Sequence, residues 1–280
     1  MIKDYLRLFR SSHWVKNLFL FAAPFFGGVF FREETMLNAI PVFIAFSLGA
    51  SSVYIINDIL DIKNDQAHPE KKKRPIASGR VSKGHAELIS VALILISFVL
   101  SFSINAVYFY YVLGYFIIQI AYSAYLKNVP IMDIFSIASG FVIRVLAGGA
   151  AFNVTVSHWL LLTMFMISLV LASGKRLSEV GLLNKIADEH RKSLTFYSVS
   201  VLKQILLISA SASLMSYALY TVEQYQSLIY TIPVVTIGLF RYIMLADSGA
   251  GDPTEALTKD KWLALTVLAW LLLIGMIRYS

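Results

Sequence analysis

The chain contains no cysteine, and only 15% of its 280 residues are charged. The first absence excludes disulfides, thiolate metal sites and a cysteine nucleophile. The second, set against 58% hydrophobic residues, nearly excludes a soluble protein. A low-complexity linker and an internal repeat are also missing, so the reading is one domain over 1–280. No cleavable leader is expected. The first apolar run is followed by others, and Ala22-Ala23-Pro24 within it makes a poor cleavage site.

What fills the chain instead is a series of apolar runs long enough to cross a bilayer. Nine are read, at 15–31, 36–56, 85–105, 107–126, 130–150, 157–174, 201–220, 228–246 and 262–279. The third and fourth share only a short turn near Asn105. An N-terminus on the cytoplasmic side puts Lys3, Arg7, Arg10, Lys16 and Lys127 there, with the segments 58–84, 175–200 and 247–261. Little beyond Arg32 and Arg278 remains on the other side. The expectation is an all-α integral membrane bundle of about nine transmembrane helices, with functional loops near 58–84 and 175–200 in the cytoplasm. The net charge of +7 is then a signal of orientation and an anion-binding surface, and nucleic acid is not an expected partner.

The polar chemistry concentrates in Asn57 to Gly79. Asp58, Asp61 and Asp65 end an apolar run and, on a continuing helix, fall at about 0°, 300° and 340°, one narrow stripe. Carboxylates gathered on one face repel each other unless a cation lies between them. Hard oxygen ligands suit Mg²⁺, which binds through a few carboxylates, waters and substrate phosphates. The basic cluster Lys71 to Arg74, with Lys73 and Arg74 as its candidate ligands, can hold the anionic part of the same substrate. The pattern reads as a site for a metal-bound diphosphate at a membrane surface. Asn57 can orient a ligand carboxylate or a phosphate, while His68 and Pro69 shape the turn.

Further candidates are spread along the chain. Gly174-Lys175-Arg176-Leu177-Ser178-Glu179 closes the sixth run; Lys175 and Glu179 are i,i+4 neighbours on a helix, with Arg176 available to a phosphate. Arg144 lies inside the fifth run, where a charge is costly without a polar cavity or an anion, and Asp133 falls on nearly the same face. Lys16 and Asn17 stand at the entry of the first run, and Tyr122 and Lys127 close the fourth. Arg241, Tyr242 and Asp247 end the eighth. Interfacial anchoring accounts equally well for Trp14 and Lys16, and for the closing groups of the fourth and eighth runs.

The pattern Asn57-Asp58-x-x-Asp61-x-x-x-Asp65 resembles the first aspartate-rich motif of the UbiA superfamily of intramembrane prenyltransferases. Their second aspartate-rich motif is replaced here by Gly174-Lys175-Arg176-x-x-Glu179. In this the chain resembles the decaprenyl-phosphate phosphoribosyltransferase branch. The likeness includes Trp14-Val15-Lys16-Asn17, Arg74-Pro75-Ile76-Ala77, Tyr122-Ser123, Leu126-Lys127, Gly140-Phe141-Val142-x-Arg144 and Arg241-Tyr242. The resemblance implies Mg²⁺-dependent transfer of 5-phosphoribose from 5-phosphoribosyl 1-diphosphate to a polyprenyl phosphate, for cell-envelope glycan precursors. Asp58, Asp61 and Asp65 would be metal-binding and catalytic. Lys16, Asn17, Asn57, Lys73, Arg74, Tyr122, Lys127, Arg144, Lys175, Arg176 and Glu179 would bind substrate. The site would face the cytoplasm from the inner membrane. A prenyltransferase using prenyl diphosphate is the alternative within the enzyme class, and a membrane transporter the alternative outside it.

Overall fold

Backbone N–H and C=O groups have no water to bond in a bilayer, so long apolar runs must satisfy them internally as helix. The computed structural model describes residues 2–69, 71–183 and 196–280. Among them the regular structure is helical throughout. In chain order the α-helices are α1 (Ile2–Phe9), α2 (Ala22–Phe26), α3 (Glu33–Leu60), α4 (Ile62–Ala67), α5 (Lys83–Ile104) and α6 (Ala106–Ala124). They continue as α7 (Met132–Ala151), α8 (His158–Leu183), α9 (Val199–Gln224), α10 (Ile232–Asp247), α11 (Pro253–Lys259) and α12 (Lys261–Tyr279). Among the described residues, eight helices are long and apolar enough to cross a membrane. The chain divides into two compact units, Met1–Lys127 with Ile143–Thr155, and Asn128–Val142 with Val156–Ser280.

The ninth expected span, 15–31, takes a different form. Ser11–Phe21 is a 3₁₀-helix, followed by the short α2. At about 2.0 Å per residue for the first part and 1.5 Å for the second, Ser11–Phe26 still reaches about 30 Å. The reason for the tighter helix is visible in its register. With three residues per turn, Trp14, Asn17 and Leu20 eclipse one another on one face, and Asn17 and Leu20 are buried. Trp14 Nε1 donates to Ser51 Oγ at 3.0 Å and Asn17 Nδ2 to Ser47 Oγ at 2.8 Å. A three-residue step along a 3₁₀-helix and a four-residue step along α3 both advance about 6 Å, so consecutive turns meet consecutive hydroxyls.

Within the first unit α3 is the hub. Phe46, Ala50 and Val53 pack with Leu20, Tyr108, Val112, Tyr115 and Ala147 in one apolar cluster. Small residues let its neighbours approach closely, and their hydroxyls bond across the gap. Ser97 Oγ donates to the Ala45 carbonyl at 2.7 Å and Ser90 Oγ to that of Ser52 at 3.2 Å. The turn at Asn105 is a single residue: its side chain caps α6 through Tyr108 N (2.7 Å) and donates to the Ala150 carbonyl (3.0 Å). A second cluster of Leu8, Ile55, Ile76, Val81 and Ala86 fastens α1 and the loop after α4 to the end of α3.

In the second unit α8 and α9 lie side by side, and Ile134, Val170, Leu177, Leu202, Leu206, Leu239 and Tyr242 form the core. The loop after α10 is strapped onto α8. Gly251 N donates to Ser178 Oγ at 2.7 Å, and Tyr242 Oη donates to the Gly251 carbonyl at 2.8 Å. Helix α8 continues to Leu183, past the expected end of its span at 174, so Lys175, Arg176 and Glu179 are helical. The rest of the loop expected up to 200 lies in part, at 184–195, outside the described residues.

The tightest approach is at Gly148, where an added Cβ would stand 1.8 Å from the Leu20 carbonyl oxygen, whereas at Gly114 it would meet nothing within 4 Å. Gly148→Ala is therefore expected to destabilise the detergent-extracted protein by about 2 kcal/mol or more, and Gly114→Ala to be neutral or mildly stabilising. Thermal unfolding of the two variants side by side checks this; equal melting temperatures would refute it.

Candidate functional site

The acidic segment does not continue as one helix. α3 ends at Leu60, Asp61 has φ −97° and ψ 9°, and α4 starts at Ile62. The break divides the expected stripe. Asp58 and Asp65 are brought together and buried, at 2% and 3% exposure, while Asp61 pairs elsewhere. Three cations neutralise the three carboxylates. Arg74 Nη1 donates to Asp58 Oδ1 at 3.0 Å and to Asp65 Oδ2 at 2.6 Å, and Lys127 Nζ donates to Asp61 Oδ1 at 2.5 Å. Arg10 Nη2 also donates to Asp58 Oδ1, with its guanidinium 5.2 Å from the Tyr54 ring centre. Matching charges in this way offsets the desolvation that carboxylates suffer at the edge of an apolar span.

In this cluster Arg10 is the residue that sequence reasoning missed. Its charge counted only towards orientation, and nothing in a spacing of 48 residues links it to Asp58. Its one visible mark is structural: φ 49° places it in the left-handed region at the joint between α1 and the 3₁₀-helix. Such a backbone costs a non-glycine residue energy and persists where the surroundings demand it.

Among the described residues no three His, Cys, Asp or Glu side chains gather closely enough to enclose a metal ion on their own. The donors that do converge are the carboxylates of Asp58 and Asp65, both reached by the one nitrogen Arg74 Nη1. That nitrogen supplies the positive charge shared by the two carboxylates. Two hard oxygen donors fit Mg²⁺, which completes its shell with waters and phosphate oxygens.

Other expected residues of the first unit fall into two groups. Arg144, 4% exposed, donates from Nε to Asn17 Oδ1 at 2.9 Å and from Nη2 to Tyr115 Oη at 3.0 Å. Its guanidinium also faces the rings of Phe46 and Tyr115, at 5.1 and 4.7 Å. Asn17 thus joins Arg144 to Ser47 on α3. Lys16, Asn57 and Tyr122 are half-buried and Lys73 is exposed. Lys73 contributes its carbonyl, which accepts from Arg80 Nη2 and so holds the basic loop. His68 Nδ1 accepts from Lys71 N at 3.3 Å, the turn-shaping role expected of it.

In the second unit, Asp133 is fully buried and accepts three bonds: from Arg176 Nε at 2.8 Å, Tyr197 Oη at 2.7 Å and Ile134 N at 2.9 Å. Asp133 and Arg144, expected on nearly the same face of the fifth run, are each held by a network within their own unit. Arg176 is also buried and donates from Nη1 to Glu179. Tyr197 was not anticipated; burial and its bond to Asp133 push its phenol above the usual range. Lys175 pairs with Asp252 at 2.8 Å, and both side chains stay more than a third exposed. Arg241 makes two bonds to Asp260, at 3.1 and 2.5 Å, joining α10 to the start of α12. The Arg241 guanidinium and the cap on Leu263 N hold the Asp260 carboxyl below the usual range. Asp247 pairs with Lys203 at 2.6 Å.

The sequence pattern of the UbiA prenyltransferase family matches residues 21–265. A decaprenyl-phosphate phosphoribosyltransferase of Corynebacterium glutamicum is 37% identical over 98% of this chain and 86% of its own length. A second, from Mycolicibacterium smegmatis, is 34% identical over 100% of this chain and 93% of its own. Among solved structures, a UbiA homologue from Archaeoglobus fulgidus bound to DMAPP and Mg²⁺ superposes with a TM-score of 0.80. That pair is 20% identical, covering 98% of this chain and 99% of that one, a likeness of fold. With a family pattern spanning most of its length and relatives above 30% identity end to end, the chain belongs to the UbiA prenyltransferase family.

Proposed function

We propose that the chain transfers 5-phosphoribose from 5-phosphoribosyl 1-diphosphate to a polyprenyl phosphate. The bond between ribose C1 and the diphosphate oxygen breaks, and one from C1 to a lipid phosphate oxygen forms. The observation that carries this reading is the end-to-end similarity to two decaprenyl-phosphate phosphoribosyltransferases. The chemistry of the residues supports it. A lipid phosphate is already a nucleophile at neutral pH, so the reaction asks for positioning and charge stabilisation and needs no strong base. The end of α8 carries Lys175 where other superfamily members carry a second acidic motif, and a cation there suits anionic substrates.

Asp58 and Asp65 would hold Mg²⁺, while Asp61, bonded to Lys127, would join them only by leaving that partner. An ion held by these carboxylates would supply neutralisation of the charge that grows on the leaving diphosphate. Arg74 and Lys127 exchange their carboxylate partners for phosphate oxygens when the donor arrives, and Lys73 adds charge at the exposed loop. Arg144, whose guanidinium is fixed by Asn17 and Tyr115, is held ready for a phosphate within the first unit. Lys16, Asn57 and Tyr122 are assigned to the same substrates on their position near these groups in the chain. The charge asymmetry of the loops supports a cytoplasmic membrane location with the donor entering from the cytoplasm.

Three outcomes are expected. Purified protein in detergent, given Mg²⁺, decaprenyl phosphate and donor labelled in the ribose, moves label into the lipid phase with release of diphosphate, and chelation stops it. Coupling of a prenyl diphosphate to an aromatic acceptor in place of this transfer would return the chain to ordinary prenyl transfer. Asp58→Asn keeps the shape of the side chain and lowers kcat/KM by about 100-fold or more while the protein remains extractable and monodisperse; near-normal turnover would sink the metal assignment. Lys175→Ala raises the donor KM about tenfold with kcat changed by less than about threefold, and unchanged kinetics would leave Lys175 a membrane anchor.

A further inference from the structure

Glu179 is placed by a chain of buried contacts that the metal and phosphate assignments leave unused. Asp133 has no exposed surface and accepts bonds from Arg176, Tyr197 and Ile134 N, so it touches no ligand itself. Arg176, 1% exposed, commits Nε to Asp133 and Nη1 to Glu179. It acts as a strut between a sealed carboxylate and a partly exposed one. Tyr197 closes the far end: its hydroxyl donates to Asp133 and accepts from Ile131 N. Ile131 has φ 69°, a left-handed backbone that a β-branched residue adopts only under constraint. Four residues thus fix the direction of one carboxylate, and Glu179 keeps about a third of its side chain exposed (34%).

That carboxylate sits four residues after Lys175, on the same face of α8. Its chemistry narrows what it receives. An ionised carboxylate only accepts hydrogen bonds. The diphosphate and the 5-phosphate of the donor are anionic and are repelled by it, as is the phosphate of the lipid. A divalent ion that would relieve the repulsion suits a converging pair of carboxylates such as Asp58 and Asp65 better than the single carboxylate of Glu179. The remaining polar feature of the donor is its vicinal pair of ribose hydroxyls, two donors matched to two carboxylate oxygens.

Building on the phosphoribosyl-transfer reading, we infer that Glu179 recognises the 2- and 3-hydroxyls of the donor ribose, with Arg176, Asp133 and Tyr197 as its positioning residues. The carboxylate selects a pentose with both hydroxyls, since a site built to bond a hydroxyl discriminates strongly against the analogue that lacks it.

The test uses the full-length enzyme in detergent and three inhibitors of the transfer: ribose 5-phosphate, 2-deoxyribose 5-phosphate and inorganic diphosphate. Wild type should bind the ribose compound about tenfold more tightly than the deoxy compound. Glu179→Gln should reduce that ratio to within about twofold, raise the donor KM about tenfold and leave inhibition by diphosphate unchanged. Tyr197→Phe, which removes one hydroxyl and spares the ring, should move the same ratio part of the way. Equal binding of the two sugar phosphates by wild type, or an unaltered ratio in Glu179→Gln, overturns the assignment while phosphoribosyl transfer stands. Absence of any transfer by wild type overturns the functional reading, and the ribose assignment with it. Should Tyr197→Phe fail to fold, Glu179→Gln decides alone.

Discussion

Charge withdrawn from water must bring its counter-charge along, and in this protein that requirement organises both units. An isolated ion in a low-dielectric interior is so costly that it neutralises or finds a partner. Asp58, Asp65 and Asp61 meet Arg10, Arg74 and Lys127; Asp133 meets Arg176. Each pair ties the end of one helix to another segment, so the groups suited to chemistry also hold loops that apolar packing reaches poorly. Loss of one partner would leave the other buried and unmatched, which is why conservative amide or phenyl replacements are the informative probes here.

The pairing also poises the site. A guanidinium nitrogen shared by Asp58 and Asp65 occupies a position that suits a divalent ion. Exchange of one cation for another costs far less than creating a charged cavity afresh, because the carboxylates are already desolvated and oriented. In the second unit the balance is different. Asp133 accepts from three donors, among them Arg176, which in turn bonds Glu179. On the proposed reading the first cluster exchanges its cation, whereas the second keeps its bonds.

Packing between helices follows the chemistry of a bilayer, where apolar residues gain little from leaving lipid for protein. Closeness and hydrogen bonds carry the association instead. The serines of α5 bond to carbonyls of α3, the serines of α3 receive the 3₁₀-helix, and Gly148 admits the Leu20 carbonyl. The 3₁₀ form of Ser11–Phe21 belongs to the same logic, since its shorter period is what aligns Trp14 and Asn17 with Ser51 and Ser47.

Apolar runs and the distribution of Lys and Arg are local properties, so eight of the nine expected spans correspond to long apolar helices and the turn at Asn105 falls where it was read. Family membership was legible too, because motifs in order survive without knowledge of geometry. The candidate carboxylates and the Gly174–Glu179 segment belong to that local record. Geometry between distant residues does not. The break at Asp61 that separates one carboxylate from two others, the recruitment of Arg10, the 3₁₀ register and the clamp of Tyr197 on Asp133 all arise from contacts made across 30 to 66 residues of chain. Such contacts depend on where whole helices come to rest and on which buried charge finds which partner, and no periodicity within a single segment encodes that choice.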